Sequence, residues 1–258
     1  MIPQSSSNVL AAGDPPPITL HNPTAPSQFL LIGDHAGCTI PSPLADLGLP
    51  EKERTRHIGW DIGTGNLGRA LAGLLDATFI AQTYSRLVID CNRDPADADA
   101  IPAVSDGTHV PGNAGLDEAA RAARVATIHQ PYHAAIAAAL DARAVSGQPT
   151  ILVALHSFTP VFGGQERPWH AGVLHDAGDT RFATAVLAAL RACPDLVVGD
   201  NEPYRMDATD HCVPRHCYPR HLPYLELEVR QDLIATAAGQ QQWATRLAPL
   251  FTTAADGI

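Results

Sequence analysis

The sequence predicts a single α/β domain in which a mixed, mostly parallel sheet is flanked by helices. Short apolar runs of strand length alternate with helical stretches from Gln28 onward, which is the order typical of βαβ units. Three runs, FLLIGDH, TILVALH and YLELEV, carry His35, His156 and Glu228 at or near their carboxyl ends. Ligands of open α/β sheets bind at these ends, so the three side chains can share one pocket. The length of 258 residues fits one large domain.

The first third of the chain begins with a segment rich in Ser and Pro. Residues 1–27 show no periodicity, which predicts a flexible N-terminal arm before a domain spanning 28–258. The apolar run that ends at Asp34 predicts the first strand. A helical stretch follows over about 57–75, and a second strand over 78–82.

The middle of the chain contains the longest predicted loop. SRLVIDCNR, at 85–93, predicts a short strand or extended segment, and the Gly- and Pro-rich residues 94–115 predict a loop. Asp117 suits the start of a helix that runs toward Arg143, with a break expected at Pro131.

The last third of the chain continues the alternation of strands and helices. TILVALH predicts a strand that ends at His156, a Gly-rich loop follows over 160–172, and a helix spans about 180–193. The segments DLVVGD and LPYLELEVR and a last helix from about Gln231 complete the predicted sheet and its cover.

Composition excludes several classes of protein. The formal charge of −10, with Lys52 as the only lysine, argues against binding to nucleic acid. No apolar stretch approaches the roughly 20 residues that span a bilayer, and the N-terminus lacks the features of a signal peptide. The five cysteines are widely spread without a CxxC pair, which is typical of free thiols. We therefore expect a soluble cytoplasmic protein.

One segment repeats histidine and proline every five residues, as HCVPR, HCYPR and HLP. Its prolines oppose a regular helix, so we expect a loop over the active face, from which one histidine could touch a substrate. The even spacing of His211, His216 and His221 raises the possibility of a second zinc site. Structural zinc sites usually have a close pair of ligands backed by a second pair, and this spacing lacks that pattern.

Strict alternation in LPYLELEVR places Leu225, Leu227 and Val229 on one face of the strand. Glu226 and Glu228 lie on the other face, where a carboxylate in a covered sheet must be paired, bound to a metal or open to a cleft. Glu228 is the better candidate for a cleft, because it lies nearer the carboxyl end. The other interpretation is an edge strand whose polar side faces water.

His35 and His156 could each be either a structural residue or a metal ligand, and the two have to be considered together. A single histidine after an apolar run is more often hydrogen-bonded structure than a metal ligand. Two imidazoles with a carboxylate and one open position, however, are the usual composition of a catalytic zinc site.

Six ordered motifs give the chain a more specific resemblance: DHAG (34–37), WDIG (60–63), SRLVIDCNR (85–93), LHSF (155–158), DNEPY (200–204) and LEVR (227–230). In these motifs the chain resembles the N-formylglutamate amidohydrolase family, which is similar to the zinc carboxypeptidases. The resemblance covers about 28–235 and implies a zinc carboxypeptidase or phosphorylase/hydrolase-like fold.

The resemblance also implies one zinc ion per chain, held by His35, Asp61 and His156, with Glu228 as the general base. Zinc would lower the pKa of its water and polarise an amide carbonyl, while Glu228 would move the proton.

Asp61 is the ligand at which the chain departs from the zinc carboxypeptidase pattern. Zinc carboxypeptidases use a His-x-x-Glu pair, but here Cys38 stands three residues after His35, so the resemblance takes the carboxylate from Asp61. Asp61 could instead cap the helix predicted to begin near it. Cys38 and His57 are the alternative ligands.

Substrate recognition is expected to use arginine, which can hold a carboxylate in a bidentate manner. The resemblance marks Arg86, Asn92 and Arg93 as substrate-binding, and Arg167 in the Gly-rich loop is a further candidate. An arginine in such a run could equally form a surface ion pair.

Asp90 and Ser157 are expected to orient a ligand histidine through hydrogen bonds. A serine nucleophile at Ser157 is disfavoured, because no G-x-S-x-G turn surrounds it and the adjacent His156 points to the opposite face of the strand.

The expected activity is therefore zinc-dependent hydrolysis of the amide bond of a small N-acyl acidic amino acid. An N-formyl substrate such as N-formylglutamate is favoured, which would release formate and the amino acid. The alternatives are a metallocarboxypeptidase-like peptidase and a metal-free protein that binds an acidic metabolite.

Overall fold

Seven strands form the central sheet of the protein, and the computed structural model describes residues 8–258 of the chain. The strands are β1 (Ile18–His21), β2 (Phe29–Gly33), β3 (Thr78–Gln82), β4 (Ile151–Phe158), β5 (Ala171–Leu174), β6 (Val198–Asp200) and β7 (Tyr224–Arg230). Their order across the sheet is β1-β3-β2-β4-β7-β5-β6. Only the β1/β3 and β7/β5 pairs are antiparallel, so the predicted mixed, mostly parallel sheet is confirmed.

Helices cover the sheet on both faces. They are α1 (Glu51–Arg54), α2 (Thr64–Leu75), α3 (Glu118–Arg124), α4 (Gln130–Ser146), α5 (Arg181–Arg191), α6 (Cys212–His216) and α7 (Ala237–Ala255). Helices α2, α5 and α7 pack with one face of the sheet in one hydrophobic cluster. Helix α4 and the apolar residues of 84–91 pack against the opposite face. The strands covered on both sides are those that appear as continuous apolar runs in the sequence.

The predicted arm contributes a strand to the sheet. Residues 1–7 lie outside the described part of the chain, but Ile18–His21 pairs with β3 along its whole length. The prediction of a loose arm is wrong for these residues. The sequence pattern does not reveal this strand, because the strand is only four residues long and lies at an edge of the sheet, where its side chains are only partly covered.

The segment 85–93 is a series of turns and not a strand. Its apolar residues Leu87, Val88 and Ile89 are fully buried, which is why the sequence suggests a strand. Its backbone bonds to loops instead: the N–H of Arg86 donates to the carbonyl of Gly59, and that of Asp90 donates to Ala100.

The helix predicted from Asp117 continues past Pro131 without stopping. A π-helical turn over Val125–His129 joins α3 to α4, which runs on to Ser146. Proline lacks the N–H that an α-helix needs and crowds the carbonyl four residues earlier. The wider π turn accommodates both defects, so the predicted break is a local change of helix type.

Helix α2 begins at Thr64, seven residues later than the sequence predicts. Gly63 ends the preceding turns with a φ of 88°, in the left-handed region, and this geometry stops a helix from extending backward. Asp61 therefore lies on a turn, where its backbone N–H donates to the carbonyl of His35 at 2.9 Å. Helix α7 similarly begins at Ala237, after a short 3-10 turn over Gln231–Leu233.

The segment rich in histidine and proline is partly helical, contrary to the prediction. Cys212–His216 forms α6, and Tyr218–Arg220 forms a 3-10 turn. Pro214 and Pro219 both lie in the first turn of these elements, where a backbone N–H has no partner to lose.

Both long loops contain small hairpins. Val104–Ser105 pairs with Thr108–His109, and Val161–Phe162 pairs with Gln165–Glu166. Over residues 8–258, no helix is both long and apolar enough to span a membrane.

We predict that alanine has opposite effects on stability at two glycines, Gly63 just before α2 and Gly73 within it. A Cβ at Gly63 would lie 2.1 Å from the carbonyl oxygen of Ile234, and the positive φ adds strain, so Gly63→Ala should lower the free energy of unfolding by about 1–3 kcal/mol. Gly73 lies within the exposed side of α2 with no atom near its added Cβ, so Gly73→Ala should raise it by about 0.5–1 kcal/mol. Denaturant unfolding of the two variants measures both changes, and equal signs would contradict the assigned strain.

Candidate active site

A cleft of about 470 Å³ opens at the carboxyl ends of the central strands. It is lined by seven of the eight residues that the sequence singles out: His35, Asp61, Arg86, Asn92, Arg93, His156 and Glu228. The turn after β2 supplies His35, β4 supplies His156, and the turn before α2 supplies Asp61. The ends of these elements meet because β2, β4 and β7 are parallel neighbours in the sheet.

Asp61 lies between the two imidazoles. Its Oδ2 atom is 3.5 Å from His35 Nδ1 and 3.1 Å from His156 Nδ1. The backbone N–H of Ser157 donates to the same oxygen at 3.1 Å. All three side chains are almost fully buried.

The other nitrogen of each imidazole faces a further carboxylate. His35 Nε2 lies 2.7 Å from Asp90 Oδ1, and His156 Nε2 lies 3.3 Å from Asp34 Oδ1. A carboxylate behind a histidine fixes the ring and makes its outer nitrogen a better metal ligand. The hydrogen bond to Asp90 therefore directs His35 Nδ1 toward Asp61, as in a metal ligand, whereas Asp34 makes no hydrogen bond with His156.

These atoms fit a divalent cation by two criteria. Ligand atoms around a tetrahedral zinc ion lie roughly 3.3 Å apart, which is close to the separations from Asp61 Oδ2. Within residues 8–258, His35 Nδ1, His156 Nε2 and both carboxylate oxygens of Asp34 are buried without a hydrogen-bond partner. Buried polar atoms are rarely left in this state, and a cation would satisfy His35 Nδ1.

Asp34 competes with Asp61 for the role of carboxylate ligand. Its Oδ1 is within reach of both rings, but it lies 3.9 Å from His35 Nδ1 and approaches His156 through Nε2. Asp61 faces the Nδ1 atoms of both rings at shorter distances, whereas Asp34, His35 and His156 offer ligand atoms that all lie within 4.8 Å of one another. The geometry therefore offers two carboxylate ligands, Asp61 and Asp34. Asp34 was not predicted as a site residue, although it directly precedes His35 in the sequence.

Electrostatic interactions are strong at this point. Burial and Arg86 disfavour protonation of His35, but Asp90, Asp34 and Asp61 outweigh them and raise its pKa to about 9. Burial likewise opposes protonation of His156, while Asp34 and Asp61 raise its pKa well above the usual range. Without a cation, the His35 ring therefore carries a positive charge at neutral pH.

Glu226 and Glu228 both line the cleft. The sequence alone did not decide which of the two would face it. Glu228 lies opposite His156 in the pairing of β7 with β4. Each carboxylate has one buried oxygen, Oε2, with no hydrogen-bond partner in the described chain. Burial raises the pKa of Glu226 to about 8 and that of Glu228 to about 7. Strand β7 is central in the sheet, so the interpretation of a solvated edge strand is wrong.

The predicted substrate-binding residues have different partners. Arg86 donates from Nε and Nη2 to Asp90 Oδ2, and its Nη1 lies 3.4 Å from Asp61 Oδ1. Asn92 accepts hydrogen bonds from the backbone N–H groups of His211 and Cys212, which fixes the start of α6.

The two remaining predicted arginines lie at the edge of the cleft. Arg93 lines it and pairs with Asp99 at 3.2 Å. Arg167 lies behind the lining, where it donates to Tyr204 Oη at 3.0 Å and stacks over the rings of Tyr204 and Phe162.

Arg205 is a cleft residue that the sequence analysis missed. It is exposed, lines the cavity, and has no ion-pair partner among residues 8–258. Its position directly after the DNEPY motif is the signal that could have identified it.

The remaining alternatives are less well placed. Cys38 is exposed and does not line the cleft. His57 lines the cleft but faces Asp106 at 3.4 Å. Ser157 Oγ donates to the carbonyl of Ile62, so its proton is engaged in holding the turn that carries Asp61.

A family model and several solved structures match most of this chain. The family model described as N-formylglutamate amidohydrolase matches residues 27–235. A gene product of Agrobacterium tumefaciens of solved structure is 35% identical, with a TM-score of 0.93 over 97% of this chain and 99% of that chain. N-formylglutamate amidohydrolase from Ralstonia eutropha JMP134 is 22% identical and shares the fold, with a TM-score of 0.65 over 94% and 99% of the two chains. No curated protein matches the sequence at a significant level.

We predict that uptake of a divalent metal ion at this centre releases protons. A ligand imidazole must be neutral, and the pKa of His35 is raised to about 9, so its proton must leave when the ion binds at pH 7–8. Affinity should rise with pH up to about tenfold per unit for each proton released. Titration calorimetry in buffers of different ionisation enthalpy counts the protons.

The matched variant is Asp90→Asn, which removes the carboxylate closest to His35 and should reduce the number of protons released. A proton count that is zero in both proteins would contradict the raised pKa.

Proposed function

The chain belongs to the N-formylglutamate amidohydrolase family, and on that premise we propose that it hydrolyses a small N-formyl acidic amino acid with the help of a zinc ion. N-formylglutamate is the first candidate substrate, and the products would be formate and glutamate. The observation that carries the proposal is the convergence of two buried Nδ1 atoms on Asp61 beside the unpaired carboxylate of Glu228.

His35, Asp61 and His156 would hold the ion, with Asp90 behind the ring of His35 and Asp34, near His156 Nε2, as the alternative carboxylate ligand. When bound, a zinc ion supplies a Lewis acid for the amide carbonyl and lowers the pKa of water. Iron and manganese also accept two histidines and a carboxylate, so zinc is the specific part of this proposal.

Glu228 is the proton carrier in the proposed reaction. It would accept the proton of the attacking water and later donate it to the nitrogen of the departing amine, so that the C–N bond breaks without leaving an amide anion. Burial raises the pKa of Glu228 to about 7, which suits a group that must both accept and donate a proton near neutral pH.

Binding of an acidic substrate in this cleft would depend on the metal ion and the arginines. Many carboxylates line or underlie the cavity, so an anion would be repelled unless the metal and arginines offset them. Asp90 and Asp61 already engage Arg86. Arg205, which has no ion-pair partner in residues 8–258, is therefore the arginine best placed to bind a substrate carboxylate.

We predict that the zinc-loaded protein releases formate from N-formylglutamate, and that Glu228→Gln lowers kcat by about 10²–10⁴-fold. Proton NMR of the reaction mixture measures formate directly. Glu226→Gln is the matched control on the same strand: the pKa of Glu226 is raised to about 8, so the side chain is already mostly neutral at pH 7 and the amide should retain most of the activity.

Release of a terminal amino acid from peptides, with no formate from formyl substrates, would instead identify a peptidase. Tight binding of N-formylglutamate without turnover would identify a binding protein. Either result contradicts the proposed activity.

We predict that Arg205→Ala raises KM for N-formylglutamate by roughly 10–100-fold, the loss expected for a hydrogen bond between charged groups. The same variant should change KM much less for an N-formyl amino acid with a neutral side chain if Arg205 binds the side-chain carboxylate. Steady-state kinetics with both substrates test this, with the exposed Arg191, outside the cleft, replaced by alanine as control. An equal change for both substrates would assign Arg205 to the carboxylate that they share.

A further inference from the structure

Four histidines meet beside the 90–93 segment, and none of them lines the catalytic cleft. The π turn and α4 contribute His129 and His133, and His211 and His216 lie immediately before and at the end of α6. The ring centres of His129, His133 and His211 are 4.4–5.5 Å apart. His133 and His216 stack at 5.2 Å. The sequence therefore contains two close histidine pairs, His-x3-His and His-x4-His, of the spacing that metal sites use.

Hydrogen bonds fix which nitrogen of two rings carries the proton. His129 Nε2 lies 3.1 Å from the carbonyl oxygen of Arg93, and His133 Nε2 lies 3.0 Å from that of Cys91. A carbonyl oxygen only accepts, so each Nε2 must donate and each Nδ1 keeps a lone pair. Metal-ligating histidines are commonly held in this way, by donation from the nitrogen that does not bind the metal.

The cluster also contains unsatisfied nitrogen atoms. Within the described chain, His211 Nε2 and His216 Nδ1 are buried without a hydrogen-bond partner. His133 Nδ1 can only accept the proton of His216 Nε2, which lies 2.9 Å away. One ligand atom from each of His129, His133 and His211 can be chosen so that all lie within 4.8 Å of one another.

We propose that His129, His133 and His211 form a second metal site, which binds a divalent transition metal such as zinc independently of the catalytic centre. His133 Nδ1 has a single lone pair, so ion binding would replace its hydrogen bond from His216 Nε2, and His216 lies next to the site as a fourth ligand. A donor set made only of imidazole suits zinc, copper or nickel and is unsuited to magnesium or calcium, which prefer oxygen.

The surroundings favour neutral ligands and allow an ion to enter. Burial lowers the pKa values of His133 and His216, to about 2 and about 3, so these rings are uncharged at neutral pH. A cavity of about 690 Å³ is lined by His129, His133 and His216. The nearby Arg215 is exposed to solvent, which screens its charge, and Arg220 is paired with Asp141 at 2.9 Å.

The position of the site gives it a structural role. The carbonyls of Cys91 and Arg93 hold two of the ligand rings, and Asn92 holds the backbone of His211. An ion on these histidines would therefore fasten the 90–93 segment to the start of α6. Both of these segments contribute to the wall of the catalytic cleft or lie directly behind it.

The test uses the full chain, stripped of metal with a chelator and then dialysed against zinc alone. Bound zinc is measured by elemental mass spectrometry in the wild type, His156→Ala, His211→Ala and the double variant. We expect His211→Ala to bind one zinc ion fewer than the wild type, and the double variant to bind one fewer than His156→Ala. In the His156→Ala background, zinc should also raise the melting temperature, and His211→Ala should remove that rise.

His211→Ala is the least disruptive variant, because its ring makes no hydrogen bond that the structure records. Should it fail to fold by circular dichroism, His129→Gln replaces it, since glutamine can still donate to the carbonyl of Arg93. The matched control is His221→Asn, in the same segment but outside the cluster, with a positive φ that asparagine tolerates.

Zinc stoichiometry that is unchanged by His211→Ala, with the affinity of the second ion falling by less than roughly tenfold, would overturn the proposal. Loss of formate release with both zinc equivalents retained would contradict the proposed function alone, so the two failures can be distinguished.

Discussion

Carboxylates and imidazoles buried beneath an open cleft must neutralise one another, and this requirement determines the geometry of the centre. Asp34, Asp61 and Asp90 are almost fully buried with His35 and His156 among them. Removing one partner of a buried ion pair costs about 3–5 kcal/mol, a large part of the roughly 5–15 kcal/mol by which a domain is stable. The sheet, the turn at Gly63 and the 90–93 segment all hold these groups in contact. The atoms that remain unsatisfied lie where a cation would complete the balance.

The sequence predicted the parts of this arrangement that follow from periodicity. Strands β2, β4 and β7 are buried on both faces or alternate strictly, so His35, His156 and Glu228 could be assigned to the ends of strands before any contact was known. Edge strand β1 could not be found in this way, because partial exposure leaves its pattern weak. The turns at 85–93 were misassigned because burial of an apolar run does not depend on strand geometry.

Contacts between distant segments limited the prediction of the site. The resemblance assigns Arg86 to substrate binding, and this stays a prediction, but the sequence did not show that Asp90 and Asp61 already contact it. Pattern alone does not show whether an arginine already has a partner. The second histidine cluster shows the same limit. The even spacing of His211, His216 and His221 suggested a metal site, but the pair that completes the cluster, His129 and His133, lies elsewhere in the sequence.

The 90–93 segment connects the two clusters because its side chains and its carbonyl groups face different partners. Asp90 holds His35, whereas the carbonyls of Cys91 and Arg93 hold His133 and His129. The backbone N–H of Asn92 donates to Asp90 Oδ1 at 2.8 Å, which joins the two sets of contacts within two residues. A displacement of these carbonyls would therefore move the carboxylate that fixes the His35 ring. Since a ligand ring must be held within about 0.5 Å of its productive position, the histidines behind the segment restrict the catalytic centre without touching the substrate.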